Sequence, residues 1–135
     1  MADLAPVVAT VISAGTNFKT AIAGATLIQG DVIYLDSTDS NKAKLADASA
    51  AATATVAGIC VTPSLSGQPV LYTAVDTIAI GATVATGEMY VLSATAGKIA
   101  PLADLVSTNI VSIIGIASST TEIDIQLQNT GIITA

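Results

Sequence analysis

The sequence has no histidine, no arginine and no tryptophan, and it contains a single cysteine. Without histidine, the chain lacks the usual base of nucleophilic catalysis and the commonest transition-metal ligand. One cysteine allows neither an internal disulfide nor a structural zinc site. Cys60 lies in an apolar run with no histidine to activate it. We therefore expect it to be a buried, unreactive hydrophobic residue.

Charged residues are scarce as well. They make up 10% of the 135 residues, against about 25% in an ordinary globular domain. The net charge is −6 with only four lysines, so nucleic acid and anionic membrane surfaces are excluded as partners. The sequence contains no uninterrupted run of about 18 apolar residues, which is the length that would indicate a membrane span. We expect a soluble chain without a signal peptide, whose low-charge surface is covered in part by a protein partner.

The sequence does contain an internal repeat. GATLIQGDVIYL, from Gly24 to Leu35, returns 57 positions later as GATVATGEMYVL, from Gly81 to Leu92. Over residues 24–61, 12 of 38 aligned positions are identical, against roughly one in ten expected by chance. We predict two tandem β units, about 24–75 and 81–131, within one domain of residues 16–135. Residues 1–15 are predicted to form an N-terminal arm or an extra strand.

The two units carry the same order of strand and turn signals. Runs of β-branched and aromatic residues are separated by polar or glycine-rich turns, and no long amphipathic helix is present. This pattern predicts an all-β fold, an antiparallel β-sandwich or small barrel with little helix. The predicted strands are Asp31–Asp36, Lys42–Leu45, Val56–Val61 and Gln68–Val75 in the first unit, and Glu88–Ser93, Lys98–Ala100, Ile110–Ala117 and Glu122–Gln128 in the second.

Several carboxylates occupy equivalent positions in the two units, Asp31 with Glu88 and Asp47 with Asp104. Paired acids can perform acid–base catalysis, but acids at turns more often cap backbone N–H groups. Asp36–Asn41 is rich in oxygen ligands but lacks the glycine and terminal glutamate of an EF-hand, so a polar hairpin loop is favoured over a calcium site. We expect no enzyme activity, no metal and no cofactor.

The second unit resembles a known family. Residues 81–105, GATVATGEMYVLSATAGKIAPLADL, and residues 110–118, IVSIIGIAS, are similar to small head proteins of tailed bacteriophages, the capsid decoration or cement proteins. The first unit fits the same pattern at Ala57–Cys60 and Gly67–Val70. The resemblance covers about residues 20–128, and its motifs are turn-and-strand patterns without a catalytic signature.

The resemblance implies a structural virion protein on the outer capsid surface, synthesised in the bacterial host cytoplasm. Such proteins are small, β-rich and often homotrimeric, and they stabilise the head by bridging subunits of the major capsid protein. The arm is the expected contact, because its β-prone sequence suits addition of a strand to a capsid edge. The expected contact residues are Leu4, Pro6, Val7, Val8, Val11 and Ile12.

Three alternatives remain open. The first is a tail or fibre component of the same virion. The second is a lipoyl- or biotin-carrier-like domain modified at Lys98 on the predicted hairpin, although the acidic and methionine residues that flank such a lysine are absent. The third is a carbohydrate-binding sandwich, in which the stacking surfaces would be Phe18, Tyr34, Tyr72 and Tyr90.

Overall fold

The computed structural model describes residues 12–13, 18–79, 83–105 and 108–134. Within these residues the secondary structure is β, apart from one 3-10 turn at Leu102–Asp104. In this part of the chain no helix is long and apolar enough to cross a membrane. The strands are β1 (Ile12–Ser13), β2 (Phe18–Ile22), β3 (Val32–Asp36), β4 (Lys42–Leu45), β5 (Gly58–Cys60), β6 (Pro69–Thr73), β7 (Thr77–Ala79), β8 (Met89–Leu92), β9 (Ile99–Pro101), β10 (Ile110–Ala117) and β11 (Glu122–Ile133).

The strands form two antiparallel sheets, so the predicted all-β class is confirmed. The first sheet has the order β2-β6-β5-β3-β4, and the second has the order β1-β7-β11-β10-β8-β9. Strand by strand, β2, β6, β5, β3 and β4 correspond to β7, β11, β10, β8 and β9 in the same spatial order. Each sheet therefore consists of one predicted unit and the strand that precedes it, β2 before the first unit and β7 before the second, so the structural repeat starts earlier than the predicted bounds. β1 is an addition at one edge of the second sheet.

The repeat extends to the pairing register of the central strands, β3 with β5 and β8 with β10. In the first sheet Ile33 lies opposite Gly58, and in the second Tyr90 lies opposite Gly115. Both residues of the first pair are displaced by 57 positions in the second. The duplicated sequence therefore specifies the same central strand pair twice.

The Gly-Asp/Glu part of the repeated motif forms a turn before the first central strand. The backbone N–H of Asp31 donates to the carbonyl three residues earlier at 3.2 Å, and Glu88 makes the same bond at 3.0 Å. Gly30 and Gly87, third in these turns, have φ of 90° and 84°. A type II turn requires positive φ at this position, which glycine adopts without strain. Backbone geometry thus accounts for this part of the motif.

The first sheet curls into a half-barrel with its own core. A parallel bridge joins Ala23, just after β2, to Ala43 in β4, and Gly24 N–H donates to the Ala43 carbonyl at 2.8 Å. Closure brings the inward faces of the strands together. The enclosed residues are Ala23, Leu27, Ile33, Ala43, Cys60, Val70 and Tyr72.

A larger core is shared by the two units. It combines the other face of the first sheet with the buried face of the second. Its larger members are Val32, Val56, Ile59, Ile78, Val84, Tyr90, Leu92, Ile99, Ile110, Ile114, Ile123 and Ile125. Aliphatic residues dominate this core, as the low aromatic content requires.

Backbone hydrogen bonds also join the units. Val32 N–H donates to the Gly97 carbonyl at 3.0 Å, and Gly97 N–H donates to the Ala46 carbonyl at 2.7 Å. Ala48 N–H donates to the Ser93 carbonyl at 2.9 Å. The second hairpin loop is thereby inserted beside the first sheet, and the two sheets pack as one body.

Most predicted strands are present, but two strands were missed. Lys42–Leu45 and Ile110–Ala117 are confirmed at both ends, while the last strand continues from Glu122 to Ile133. Phe18–Ile22 and Thr77–Ala79 were not predicted. Both are short strands whose conformation depends on pairing with β6 and β11.

Candidate interaction surface

The oxygen-rich loop of the first hairpin is neutralised by lysines. Lys44 Nζ lies 2.8 Å from Asp36 Oδ2 and 3.1 Å from Asp39 Oδ2, and Lys42 Nζ lies 3.6 Å from Asp39 Oδ1. Hydrogen bonds from Lys44 and then from Thr38 lower the pKa of Asp36 to about 2. The loop is an ion-paired turn, and the described residues contain no group of three or more potential metal ligands.

The repeated acids of the first unit cap turns. Asp31 Oδ2 accepts a hydrogen bond from Ile28 N–H at 2.9 Å, and Asp47 Oδ1 accepts one from Ser49 N–H at 2.9 Å. Burial raises the pKa of Asp31, although the Ile28 hydrogen bond and the charge of Lys98 oppose this shift. The capping role predicted for these two acids is confirmed.

Cys60 is fully buried on β5, inside the half-barrel. Burial, with a smaller contribution from the negative charge of Asp31, raises the pKa of its thiol to about 12. The nucleophilic thiolate is therefore negligibly populated at neutral pH. The predicted burial of Cys60 is confirmed, and this burial accounts for the expected lack of reactivity.

The second hairpin loop is packed rather than free. A Cβ atom added to Gly97 would lie 2.7 Å from Leu45 Cδ2 and 3.3 Å from Asp31 Oδ1. Lys98, the next residue, is half-buried. A carrier domain presents its modified lysine at a hairpin tip, so this packing disfavours the carrier-like alternative.

Only one predicted capsid-contact residue falls within the described residues. Ile12 belongs to β1 and lies opposite Ala79 of β7, and Ser13 lies opposite Ile78. β1 therefore extends the second sheet beyond β7. The other predicted contacts, Leu4, Pro6, Val7, Val8 and Val11, lie outside the described residues.

Among the described residues nine large apolar side chains are exposed, and six of them are considered as two groups; the other three are Ile28, Leu102 and Ile116. The first, here called the β2 patch, comprises Phe18, Ile22, Leu65 and Val75, with 42%, 43%, 60% and 61% of their surface exposed. The second, the hairpin-end patch, comprises Ile132 and Ile133 at the end of β11, with 62% and 63% exposed. The first patch combines two residues of β2 with one residue from each of the loops that flank β6, and the second patch lies at the end of the second sheet's longest strand.

A cleft of about 220 Å³ adjoins the hairpin-end patch. Two of its polar side chains are engaged within the chain, because Asn129 Oδ1 accepts a hydrogen bond from Val56 N–H at 2.8 Å and Ser112 Oγ donates to the Ala54 carbonyl. The cleft consequently offers mostly apolar surface to a partner. Its lining residues are Ala51, Ala54, Thr55, Ile110, Ser112, Asn129, Gly131 and Ile133.

The patches were not predicted from the sequence. Phe18 and Ile22 alternate with Lys19 and Ala21, which is a weak sign of a strand, but nothing local marks this strand as an edge. Ile132 and Ile133 lie beyond the predicted end of the last strand. Comparison with protein-family models, curated proteins and solved structures gives no match to this chain.

Proposed function

We propose that this chain is a structural virion protein that binds the outer surface of a tailed-bacteriophage head and bridges subunits of the major capsid protein. The observation that carries the proposal is a surface with few charges and two separate exposed apolar patches, the β2 patch and the hairpin-end patch. Two patches on one small body suit simultaneous contact with two neighbouring subunits. Within the part of the chain that the structure describes, no group of three or more potential metal ligands suggests a metal-dependent function instead.

The strength of such a contact can be bounded from the hairpin-end patch. Complete burial of an exposed isoleucine contributes about 1.5–3 kcal/mol. Ile132 and Ile133 are 62% and 63% exposed, so together they contribute roughly 2–4 kcal/mol. One patch therefore binds weakly, and engagement of both patches on a repeating lattice raises the effective affinity.

The test uses heads assembled from the major capsid protein of the same virus without decoration protein. We expect saturable co-sedimentation of the purified chain and a higher temperature of head disruption. The double variant Ile132→Lys, Ile133→Lys is expected to bind at least tenfold more weakly. Gln126→Lys adds a lysine at an exposed position of the same strand and serves as the control that retains binding.

Failure of the native chain to bind heads would contradict the proposal, and equal binding by the double variant would remove its structural basis. Negative-stain images of virions carrying the labelled chain distinguish the alternative location, because label on the tail would identify a tail or fibre component. The homotrimer implied by the resemblance is tested separately by native mass spectrometry of the purified chain.

A further inference from the structure

The two sheets differ at one edge. In the second sheet β1 covers the outer side of β7, with Ile12 opposite Ala79. β2 has the equivalent place in the first sheet, because it adjoins β6 as β7 adjoins β11. Among the described residues no strand is aligned along the outer side of β2, but β4 approaches this side at its Ile22 end, where a parallel bridge joins Ala23 to Ala43.

The register identifies the backbone groups on this open edge. Ala23 N–H donates to the Gln68 carbonyl at 2.8 Å, which makes this position a hydrogen-bonded pair with the β6 side. In an antiparallel ladder such pairs alternate with positions whose backbone groups point away. The outward positions of β2 are therefore Phe18, Thr20 and Ile22, and of these Phe18 and Thr20 lie away from the bridge to β4.

The same alternation holds at the covered edge. Ile125 N–H donates to the Asp76 carbonyl at 3.2 Å, so Ala79, three residues after Asp76, directs its backbone groups away from β11. Ala79 is the residue opposite Ile12. The equivalent residues Ile59 and Ile116 provide the reference for comparing the two edges. Across the first sheet the register leads from Ile59 to Phe18 of β2, and across the second sheet it leads from Ile116 to Thr77 of β7. Thr20 and Ala79 each follow these positions by two residues, so they are equivalent.

The open edge is also apolar. Phe18 and Ile22 share one face of β2 with Thr20, and they are 42% and 43% exposed. Pro69 and Leu71 lie directly opposite Ile22 and Thr20 on β6 and widen the apolar strip. An exposed edge strand of this kind is a template for pairing with another extended segment.

We propose that the β2 edge binds a segment within residues 1–11 of a second copy of this chain as an added antiparallel strand. At the equivalent edge of the second sheet, Ile12 and Ser13, which immediately follow this segment in the sequence, already pair with β7 as the covering strand. The segment contains Val7, Val8 and Val11, and its one charged residue, Asp3, is opposite in sign to Lys19 of β2.

The geometry favours a second copy over the chain's own segment. Ile12–Ser13 is held on β7, and the chain runs from Ser13 toward Phe18. If residues 1–11 continue in the direction of β1, the chain's own segment would have to reverse its direction in order to reach its own β2. The contact is heterologous, so repetition of it closes a ring or extends a chain of copies. The proposal does not depend on attachment to a phage head.

The first test is the mass of the purified full chain at increasing concentration, by native mass spectrometry and light scattering. We expect an oligomer for the native chain and a monomer for Thr20→Pro. Proline removes the outward N–H of Thr20 and is tolerated at an edge position that donates no bond to the neighbouring strand. Thr20→Val keeps this N–H and is the matched control, which should remain oligomeric. A native chain that stays monomeric near 100 μM (a concentration at which contacts with micromolar Kd are largely formed) overturns the proposal, as does an oligomeric Thr20→Pro.

A second measurement covers the case in which Thr20→Pro does not fold. Copies carrying Thr20→Cys are mixed with copies carrying Val7→Cys, Val8→Cys or Ala9→Cys, and disulfides are formed with oxidised glutathione. Cys60 does not interfere because it is buried. We expect a mixed disulfide dimer for at least one arm position, at tenfold or higher yield than with Thr38→Cys, which lies in an exposed turn. Equal yields for Thr20→Cys and Thr38→Cys overturn the proposal.

Discussion

Replacement of Gly115 by alanine is expected to destabilise the fold severely. Gly115 lies in β10 opposite Ile125 of β11, next to an irregularity in the pairing register. A Cβ at this position would lie 2.1 Å from the backbone carbonyl oxygen of Asp124 and 3.1 Å from Ile123 Cγ2. The obstructing atom is backbone within a sheet, so it has no alternative rotamer with which to move away.

The magnitude follows from the displacement that the methyl group requires. Real Cβ atoms essentially never approach another atom closer than 3.0 Å, so the Asp124 carbonyl must retreat by roughly 1 Å merely to reach this limit, and further to reach ordinary contact. This movement disrupts about two ladder hydrogen bonds, at about 1 kcal/mol each. Overpacking around buried Ile123 adds roughly 1–3 kcal/mol. The expected loss is about 3–5 kcal/mol of the free energy of unfolding.

Urea unfolding followed by far-UV circular dichroism measures this loss, and it suits a chain without tryptophan. With a slope of about 1–3 kcal/mol per molar urea, the Gly115→Ala midpoint should fall by at least about 1 M. Gly131→Ala is the control for backbone strain alone, because Gly131 has φ of 69° and no atom within 4 Å of an added Cβ; it should cost about 1–2 kcal/mol. If Gly115→Ala unfolds at the same urea concentration as Gly131→Ala, the close-approach argument is refuted.

Three further predictions concern side chains. Asp31→Asn should match or exceed the native stability at pH 7, because burial raises the folded-state pKa of Asp31. The contribution of Asp31 to the free energy of unfolding is therefore complete below its pKa in the unfolded chain, and it is lost as the pH rises through its pKa in the folded chain. The advantage should shrink at pH 3, and urea midpoints at the two pH values test this sign, with lower stability of the variant at pH 7 contradicting it. Asn129→Ala should lower the free energy of unfolding by about 1–3 kcal/mol, because the Asn129 side chain accepts a hydrogen bond from Val56 N–H at 2.8 Å and donates one to the Val56 carbonyl at 3.2 Å. Asn129→Asp keeps only the acceptor, so in the same assay its stability should lie between those of the native chain and Asn129→Ala. Cys60 should react with a thiol reagent only at the rate of unfolding, and rapid labelling of the native chain at pH 7 would show that its burial is wrong.

The alternation of side chains made part of the fold predictable. In Glu122–Gln128, every second residue is apolar, and Ile123 and Ile125 are indeed buried. β2 and β7 carry no comparable signal, because β2 contains an exposed lysine and β7 spans only three residues. These strands depend on pairing with residues more than 40 positions away along the chain, and short-range patterns do not encode such pairing.

The repeat predicted the duplicated unit but not the difference between its copies. Equivalent glycines at Gly58 and Gly115 have the same physical cause, since an added Cβ would lie 2.6 Å and 2.1 Å from a backbone carbonyl oxygen of the neighbouring strand. The insertion of Gly97 beside Val32 has no sequence signal, because it depends on how one unit packs against the other. The β2 patch was missed for the same reason.

Unequal burial of the two units explains where the chain retains an exposed apolar surface. In the first unit, Leu27 and Ile33 belong to a separate core inside the half-barrel, whereas their repeat equivalents Val84 and Tyr90 belong to the core shared with the first sheet, which includes Val32. The second sheet is thus buried by the first on one face and extended by β1 at the β7 edge. The first sheet receives no equivalent strand on β2 from the described residues. Because the two edges share strand order and outward backbone positions, the binding capacity already used at β7 is also present at β2, where a second copy can use it.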